Sequence, residues 1–367
     1  MKKISICFVT DDNYAPYMGV AITSILKNAK KDESFDFYIF DNGIKESTKA
    51  KLNTFESPNV HIKYVDISTV EDKFIVLKQT VPHISKASYF KFVIADLLPN
   101  LDRIIYLDGD LIVKESLWDL YNIDLGDNLI AAVEDVGYTY WSQHNEELKL
   151  KFKCMNSGVM LINCDLWRKE NLSAKLLECA ADHDKVGFGQ DQPVLNYVLK
   201  DRVKFIDFKW NAQDTFFRDE IELKDRDDKK ACKYAKHHPA IIHYTYVKKP
   251  WNYPTMRKAD EYWNYYKDSP FFNQETYKKA IKIRKDYYIV KRLPLWSLTL
   301  LRTPSKRIIK ALNDLKIEDN YDLNILKEVL NYLRKEIYDI DELSSKTHII
   351  YRFMGIKIKK RRKNAKR

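Results

Sequence analysis

Short apolar runs alternate with amphipathic or polar segments along the first part of the chain. The runs at residues 4–10, 35–40 and 60–65 have the length and composition of buried strands. Between them, residues 20–26 place apolar side chains on one side of a predicted helix, and residues 45–55 indicate a polar helix. This alternation predicts an α/β layer built on a mixed, mostly parallel sheet with flanking helices. Such sheets bind ligands at the carboxyl ends of their strands.

The apolar run at residues 104–107 leads directly into two acids. Asp108 and Asp110 follow it with only Gly109 between them, and a second apolar run, residues 111–113, comes next. Two carboxylates at the end of a strand can converge on one hard divalent cation such as Mg²⁺ or Mn²⁺. Carboxylates between apolar runs are costly to bury without a cation or hydrogen-bond donors nearby. We therefore interpret this pair as a candidate metal site.

The same spacing of acids occurs elsewhere, but in different surroundings. The other pairs are Asp182/Asp184, Asp225/Asp227 and Asp339/Asp341. They lie in polar or helical-looking sequence, where paired acids are most simply a solvated face. The apolar context of the first pair, rather than the spacing, favours metal binding.

Composition narrows the class of protein. The chain has 367 residues with 45% hydrophobic content, enough for one large α/β domain with an appendage. Five scattered cysteines without a Cys-x-x-Cys motif indicate neither a disulfide framework nor a zinc site. Asp11 and Asp12 follow the first apolar run too soon for a signal peptide. No run approaches the ~18 apolar residues of a membrane span. We expect a cytoplasmic protein, or one on the cytosolic side of a membrane.

Glycine-rich phosphate loops are missing from the sequence. The first strand is followed by Asp11, Asp12, Asn13 and Tyr14 rather than by Gly-x-Gly-x-x-Gly, and the whole chain has nine glycines. Neither a dinucleotide-binding fold nor a P-loop is indicated. If the protein binds phosphate, a metal ion and side chains must do so.

Six short motifs, in order, are similar to those of glycosyltransferase family 8, which includes bacterial lipopolysaccharide galactosyl- and glucosyltransferases and glycogenin. The motifs are Thr10-Asp11-Asp12-Asn13-Tyr14, Tyr106-Leu107-Asp108-Gly109-Asp110, Asn156-Ser157-Gly158-Val159, Gln190-Asp191-Gln192, Lys209-Trp210-Asn211 and His243-Tyr244 with Lys249-Pro250-Trp251. The resemblance covers about residues 4–252. It implies the GT-A type of nucleotide-diphospho-sugar transferase fold, a UDP-hexose donor and a glycan or glycolipid acceptor.

The resemblance assigns metal ligands. It makes Asp108 and Asp110 ligands of Mn²⁺ or Mg²⁺, with His243 as the third. An imidazole among oxygen ligands favours Mn²⁺. Taken alone, a histidine after an apolar run is more often a core residue, and the sequence Lys249-Pro250-Trp251 behind it favours the ligand role.

The resemblance also implies contacts to the donor and the reacting groups. The implied donor-binding residues are Thr10, Asp11, Asn13, Tyr14, Lys91, Asp108, Gly109, Asp135, Asn156, Ser157 and Lys249. Asp11 alternatively caps a helix, and Lys91 alternatively is a solvated helix lysine. Asp191 and Gln192 are implied to lie beside the anomeric carbon. Retention by double displacement needs a carboxylate nucleophile, for which Asp191 is the better candidate, whereas Gln192 could only support a front-side displacement. The sequence leaves these two mechanisms open.

Two further expectations concern the acceptor and the phosphate. The acceptor is expected at residues 137–152, where Tyr138, Tyr140 and Trp141 offer flat apolar faces for a sugar ring. The family usually has a glycine three residues after the metal-binding histidine, whereas this chain has Tyr246. Either the backbone N–H of Tyr246 still reaches the donor phosphate, or the loop that carries it has a different shape from that of the family.

The positive charge is concentrated after the motifs. The net charge is +11, and residues 271–367 carry 25 Lys/Arg against 11 Asp/Glu, so the rest of the chain is slightly acidic. Residues 278–310 mix basic side chains with tyrosines, leucines and Trp296, and residues 319–341 resemble an amphipathic helix. A basic, aromatic and apolar mixture is typical of a segment lying on an anionic membrane surface. A disordered solubilising tail is the alternative, and fits residues 359–367.

These observations give one domain scheme and one preferred function. We expect a catalytic domain at residues 1–255, a helical, aromatic and basic region at 256–350, and a disordered basic tail at 351–367. The preferred function is a retaining sugar transferase peripheral to the inner face of the cell membrane. A protein-directed transferase and a non-catalytic nucleotide-sugar- or nucleic-acid-binding protein are the alternatives. The sequence shows no nucleic-acid recognition fold, so we expect no nucleic-acid partner.

Overall fold

The fold is described from a computed structural model. It describes residues 1–67, 70, 86–144, 152–182, 191–217, 226–245, 248–291, 339–340, 348–353 and 356–361. Contacts divide the chain into two compact units, Met1–Lys278 and Lys279–Arg367. Residues 256–278, which the sequence analysis assigned to the C-terminal region, belong to the first unit.

The first unit alternates strands with helices, as the hydrophobic pattern predicts. Its strands are β1 Lys2–Thr10, β2 Glu33–Asp41, β3 Val60–Asp66, β4 Arg103–Leu107, β5 Leu111–Val113, β6 Ile130–Glu134, β7 Met155–Asn163, β8 Val203–Phe205, β9 Ala212–Gln213 and β10 Ile241–His243. Its helices are α1 Ala15–Lys27, α2 Glu46–Leu52, α3 Ile94–Leu97, α4 Trp118–Tyr121, α5 Val136–His144, α6 Cys164–Lys169, α7 Leu172–Ala181, α8 Asp191–Leu199, α9 Arg226–His237 and α10 Ala259–Tyr266. A further helix, α11 Gln274–Lys291, begins in the first unit.

The main sheet has seven strands in the order β3-β2-β1-β4-β7-β6-β8. β3, β2, β1 and β4 run parallel, β7 is antiparallel to both of its neighbours, and β6 pairs with β8 in parallel. The middle of β1 is buried on both faces, because a parallel strand inside an α/β layer is covered from both sides. The predicted fold, a mixed and mostly parallel sheet with flanking helices, is confirmed.

A second sheet brings distant parts of the chain together. It has the order β5-β10-β9, with β10 antiparallel to β5 and parallel to β9. In this register His243 lies opposite Leu111, the residue after Asp110. The backbone N–H of Tyr244 donates to the carbonyl of Asp110 (3.0 Å). A histidine more than 130 residues away is thereby fixed beside the two acids.

The segment around Lys91, which also reads from the sequence as a helix over residues 84–98, is mostly of the tighter 3₁₀ kind. Lys86–Val93 forms the 3₁₀ helix and α3 only the last turn, while residues 84–85 lie outside the described residues. Residues 89–95 are all buried. This part of the segment therefore has no solvent-exposed face and needs no amphipathic pattern. Lys91 in its middle is therefore enclosed rather than solvated.

The second unit contains strands where the sequence analysis expected a helical region and then a disordered tail. β11 Asp339–Ile340, β12 His348–Phe353 and β13 Ile356–Arg361 form an antiparallel three-stranded sheet. The sequence Ile-Lys-Ile-Lys alternates with period two, which suits a strand, and the expectation of a disordered tail weighed only its charge. Among the described residues, no helix is long and apolar enough to cross a membrane. The sequence predicts a membrane-surface segment at 278–310 and an amphipathic helix at 319–341, of which residues 292–310, 319–338 and 341 lie outside the described residues. Residues 278–291 are part of α11, whereas residues 339–340 form β11 rather than the end of the predicted helix.

Candidate active site

Three potential metal ligands meet where β4 ends and β5 and β10 pair. Atoms of Asp108, Asp110 and His243 all lie within 4.8 Å of one another. Nε2 of His243 is 3.3 Å from Oδ1 of Asp110 and 3.6 Å from Oδ2 of Asp108. His243 is buried and Asp108 is partly exposed, with 32% of its side-chain surface accessible. The cluster is thus closed towards the core and open on one side.

Gly158 leaves the space that this cluster needs. Its N–H donates to Oδ1 of Asn156 (3.1 Å), and its carbonyl accepts from the N–H of Asp108 (2.8 Å). A Cβ at this position would come within 2.6 Å of Oδ2 of Asp108, and closer still to Cε1 of His243. Any side chain at residue 158 would therefore displace the acid and the imidazole.

Lys249 neutralises one of the acids. Its ammonium bonds Oδ2 of Asp110 (2.5 Å) and the carbonyl of Tyr244. Burial alone opposes ionisation of Asp110, but the positive charge of Lys249 outweighs it and lowers the pKa of this carboxyl. The side chain of Trp251 stacks on Tyr17 of α1 with ring centroids 3.7 Å apart, which fixes the loop that carries Lys249.

Lys91 and Asp191 form a buried ion pair beside the same cluster. The ammonium of Lys91 lies 2.7 Å from Oδ2 of Asp191 and 3.7 Å from Oδ1 of Asp108. It also lies over the ring of Tyr106, 4.7 Å from the centroid. Burial lowers the pKa of Lys91, but the charges of Asp191 and Asp108 outweigh it, so the pKa is raised. This lysine therefore stays cationic at neutral pH.

Further polar side chains extend the hydrogen-bonded network away from Lys91. They are those of Asp135, Gln192 and Asn156. Oδ2 of Asp135 accepts from Nδ2 of Asn156 and from Nε2 of Gln192, both at 3.2 Å. Oε1 of Gln192 accepts from the N–H of Ser157 (3.2 Å), whose hydroxyl donates to Oδ2 of Asp191 (3.0 Å). The two polar ends of the Gln192 amide are thus each bonded within the protein.

These contacts close into one ring of nine residues, joined through their side chains and the backbone N–H of Ser157, which we call the polar ring. It passes through Asp108, Lys91, Asp191, Ser157, Gln192, Asp135, Asn156, Asn211 and His243. Eight of these nine residues were singled out from the sequence, and the structure brings them together. The ninth, Asn211, lay in a quoted motif but was given no role.

The remaining candidate donor contacts lie at the end of β1. Oδ1 of Asp11 accepts from the N–H of Tyr14 (2.8 Å), and the hydroxyl of Thr10 donates to the carbonyl of Asp11 (3.2 Å). Asp11 thus closes a turn ahead of α1. The N-cap residue of that helix is Tyr14, with no side-chain cap hydrogen bond, so the alternative interpretation of Asp11 as the helix cap is wrong. Asn13 is exposed. Tyr14 is 37% exposed and lies against Gly109. Burial, then Asp110 and Asp108, raise the pKa of Tyr14, so its hydroxyl stays protonated.

Some sequence-derived residues lie outside the described part of the structure. They are Tyr246 and Gln190, together with the side chains of Tyr140 and Trp141. Tyr138 is described: it is half-buried on α5, and burial raises the pKa of its phenol. The predicted acceptor surface therefore stays a prediction.

The fold and the site are similar to those of known proteins. A GT-A fold with an acidic pair and a histidine at its strand ends is that of a glycosyltransferase. The profile of Glycosyl transferase family 8 matches residues 5–255, and the chain belongs to that family.

The relatives agree with this assignment. The chain is 32% identical over 281 residues to General stress protein A of Bacillus subtilis, covering 72% of this chain and 94% of the relative. It is 27% identical to lipopolysaccharide 1,3-galactosyltransferase of Salmonella typhimurium, covering 78% and 90%. The galactosyltransferase LgtC, solved in complex with donor and acceptor sugar analogues, matches with a TM-score of 0.62 and 25% identity, covering 74% of this chain and 98% of LgtC.

Proposed function

We propose that this chain is a retaining, manganese-dependent hexosyltransferase. It moves galactose or glucose from a UDP-sugar to lipopolysaccharide or another cell-surface glycan. The observation that carries the proposal is the meeting of Asp108, Asp110 and His243, two of which belong to the polar ring. Family membership and the similarity to a lipopolysaccharide galactosyltransferase support the donor and acceptor classes.

The residues present fit a divalent cation. Asp108, Asp110 and His243 would hold it, because two carboxylates and an imidazole converge where the lack of a side chain at Gly158 leaves room. An imidazole among oxygen ligands favours Mn²⁺ over Mg²⁺. When bound, such an ion supplies positive charge that stabilises a departing diphosphate.

Lys91 and Lys249 supply further positive charge at the same place. Each ammonium lies beside one acid of the pair, Lys91 near Asp108 and Lys249 near Asp110. We infer that both lysines interact with the donor diphosphate, since ammonium groups are strong partners of phosphate oxygens. Tyr14, with its exposed ring beside Gly109, offers a flat surface for the base, and Asp11 an acceptor for uracil N3–H.

The polar ring favours a front-side displacement over a covalent intermediate. Oδ2 of Asp191 is held by Lys91 and by Ser157, which reduces its power as a nucleophile. The Gln192 amide is bonded to Ser157 and Asp135. We infer that both residues orient the donor sugar. The acceptor oxygen then bonds to the anomeric carbon on the side from which UDP leaves, and the leaving phosphate oxygen takes the acceptor proton.

Released UDP tests this function. Purified protein incubated with Mn²⁺ and UDP-galactose, UDP-glucose or an N-acetylated UDP-hexose is expected to release UDP from one of them preferentially. Proton NMR of a transferred product is expected to show the anomeric configuration of the donor. Asp201→Asn, which changes an exposed carboxylate outside the polar ring, is the matched control. Turnover of other nucleotide sugars but of no UDP-hexose would contradict the proposal.

We also propose that residues beyond 278 attach the enzyme to the anionic inner face of the cell membrane. Each Lys or Arg near anionic headgroups contributes roughly 1 kcal/mol, screened over a Debye length. The full chain is expected to sediment with phosphatidylglycerol vesicles and to be released by salt. A 1–278 variant is expected not to sediment while still releasing UDP, with its thermal transition as the check on folding. Binding that persists at high salt and after truncation would contradict this proposal.

A further inference from the structure

We propose that Asn211 is a positioning residue that fixes His243 in the tautomer with its proton on Nδ1. The lone pair of Nε2 then faces Asp108 and Asp110. The inference rests on the proposed metal-dependent function and deepens it. Asn211 ends the 3₁₀ helix Phe208–Asn211 and is fully buried.

The two nitrogens of the His243 ring face different partners. Nδ1 lies 2.9 Å from Oδ1 of Asn211, and Nε2 faces the carboxylates of Asp108 and Asp110. A neutral imidazole carries one proton, and a nitrogen that carries it cannot bind a metal. The partner of Nδ1 therefore decides whether Nε2 is available as a ligand.

The direction of the hydrogen bonds that lead to His243 is determined by two groups, one of which can only donate and one of which accepts. The backbone N–H of Gly158 can only donate, and it donates to the Asn156 atom assigned as Oδ1 (3.1 Å). The carboxylate of Asp135 accepts from the other end of that amide, Nδ2, at 3.2 Å. These two contacts orient the Asn156 amide independently of the histidine.

The orientation of Asn156 then determines that of Asn211. Oδ1 of Asn156 accepts from Nδ2 of Asn211 (2.9 Å), so Oδ1 of Asn211 is left facing His243. An amide oxygen has no proton to give, and Nδ1 of His243 must donate to it. Reversing the Asn211 amide would place its oxygen against the Asn156 oxygen in a site closed to solvent, which leaves buried polar groups unpaired.

The acids alone would favour the opposite tautomer. Two carboxylates facing Nε2 attract a proton to that nitrogen, because N–H donation to a carboxylate is a charge-assisted hydrogen bond. A proton there would block the ligand lone pair. The chain from Asp135 through Asn156 and Asn211 opposes this, and it ends on a carboxylate that only accepts. The chain thus prepares His243 to bind a cation.

Manganese affinity without nucleotide sugar provides the first test. Free Mn²⁺ is measured by electron paramagnetic resonance over a titration of the full-length protein. Asn211→Leu removes the acceptor at similar size and is expected to weaken Mn²⁺ binding roughly 10- to 100-fold. Asn211→Asp keeps an oxygen opposite Nδ1 and is expected to retain most of the affinity, although it loses the donor to Asn156.

Asn196→Leu is the matched control. Asn196 is also buried, and among the described residues its side chain bonds backbone groups, those of Met155 and Gln192. It is expected to lower the thermal transition temperature with a much smaller change in Mn²⁺ affinity. Unchanged Mn²⁺ affinity in Asn211→Leu, or equal losses in Asn211→Leu and Asn211→Asp, would overturn the inference.

The tautomer is observed directly in metal-free protein labelled with ¹⁵N-histidine. The His243 signals are identified by comparison with His243→Gln, at a pH where the ring is neutral. Wild-type protein is expected to show a proton on Nδ1 and none on Nε2, and Asn211→Leu to shift the proton to Nε2. A proton on Nε2 in the wild type would overturn the inference. Because this measurement needs no metal, it stays decisive even if the proposed manganese dependence fails.

Discussion

Asp108→Asn and Asp110→Asn are expected to abolish sugar transfer while the protein stays folded. Each substitution removes one charge of the proposed cation site and keeps the size of the side chain. We expect a loss of UDP release of roughly 10²–10³-fold or more, the scale seen when one stabiliser of developing charge is removed. The measurement is UDP release at saturating donor and Mn²⁺.

The two variants differ in the contacts that remain after the substitution. Asn at 108 can still accept from the hydroxyl of Tyr106, which bonds Oδ1 at 2.7 Å. Asn at 110 removes the carboxylate that the Lys249 ammonium contacts at 2.5 Å, so we expect this variant to lose more stability. Asp201→Asn is the control for loss of a carboxylate. Near-normal turnover in either active-site variant would contradict the metal assignment.

Local patterns in the sequence predict the acidic pair of the site, whereas the residues that join it from distant parts of the chain were assigned from the resemblance to a family. The acids at 108 and 110 follow an apolar run, and that pattern is visible within ten residues. The approach of His243 depends on the pairing of β10 with β5, which no periodicity reveals. Only the resemblance to a family placed this histidine in the site.

Asn211 and Lys91 show why side-chain environments were harder to predict. A single asparagine next to Trp210 gives no periodic signal, and its role depends on the orientation of two other amides. From the sequence, the alternative interpretation of Lys91 is a solvated helix lysine, because a charged residue is rarely buried without a partner. Its partner, Asp191, is a hundred residues away and starts a different helix.

The tail illustrates a competition between two patterns. Charge density from residue 351 onwards indicated disorder, while the alternation of isoleucine and lysine suits the hairpin of β12 and β13. Alternation decides the local backbone because each strand supplies hydrogen bonds to the other.

Lys91→Met is expected to destabilise the folded protein more than its loss of one charge suggests. The substitution leaves the buried carboxylate of Asp191 without its 2.7 Å partner. Breaking a buried ion pair from one side costs about 3–5 kcal/mol, because the remaining charge stays desolvated. The pKa of Lys91 is raised above its usual 10.5, so this stabilisation is fully present at neutral pH and is lost only as the pH rises through that higher value. The free energy of unfolding at neutral pH measures the effect.

A double-mutant cycle separates the ion pair from catalysis. Asp191→Asn in the Lys91→Met background removes the uncompensated charge, and we expect it to recover a large part of the lost free energy of unfolding. None of the three variants is expected to transfer sugar, since Lys91 and Asp191 both belong to the polar ring. If Lys91→Met were as stable as the wild type, the Lys91–Asp191 ion pair would contribute nothing to the free energy of unfolding, and its assignment as a stabilising contact would be wrong. Recovery of the free energy of unfolding without recovery of UDP release would show that the protein needs this ion pair for donor binding rather than for the stability of its core.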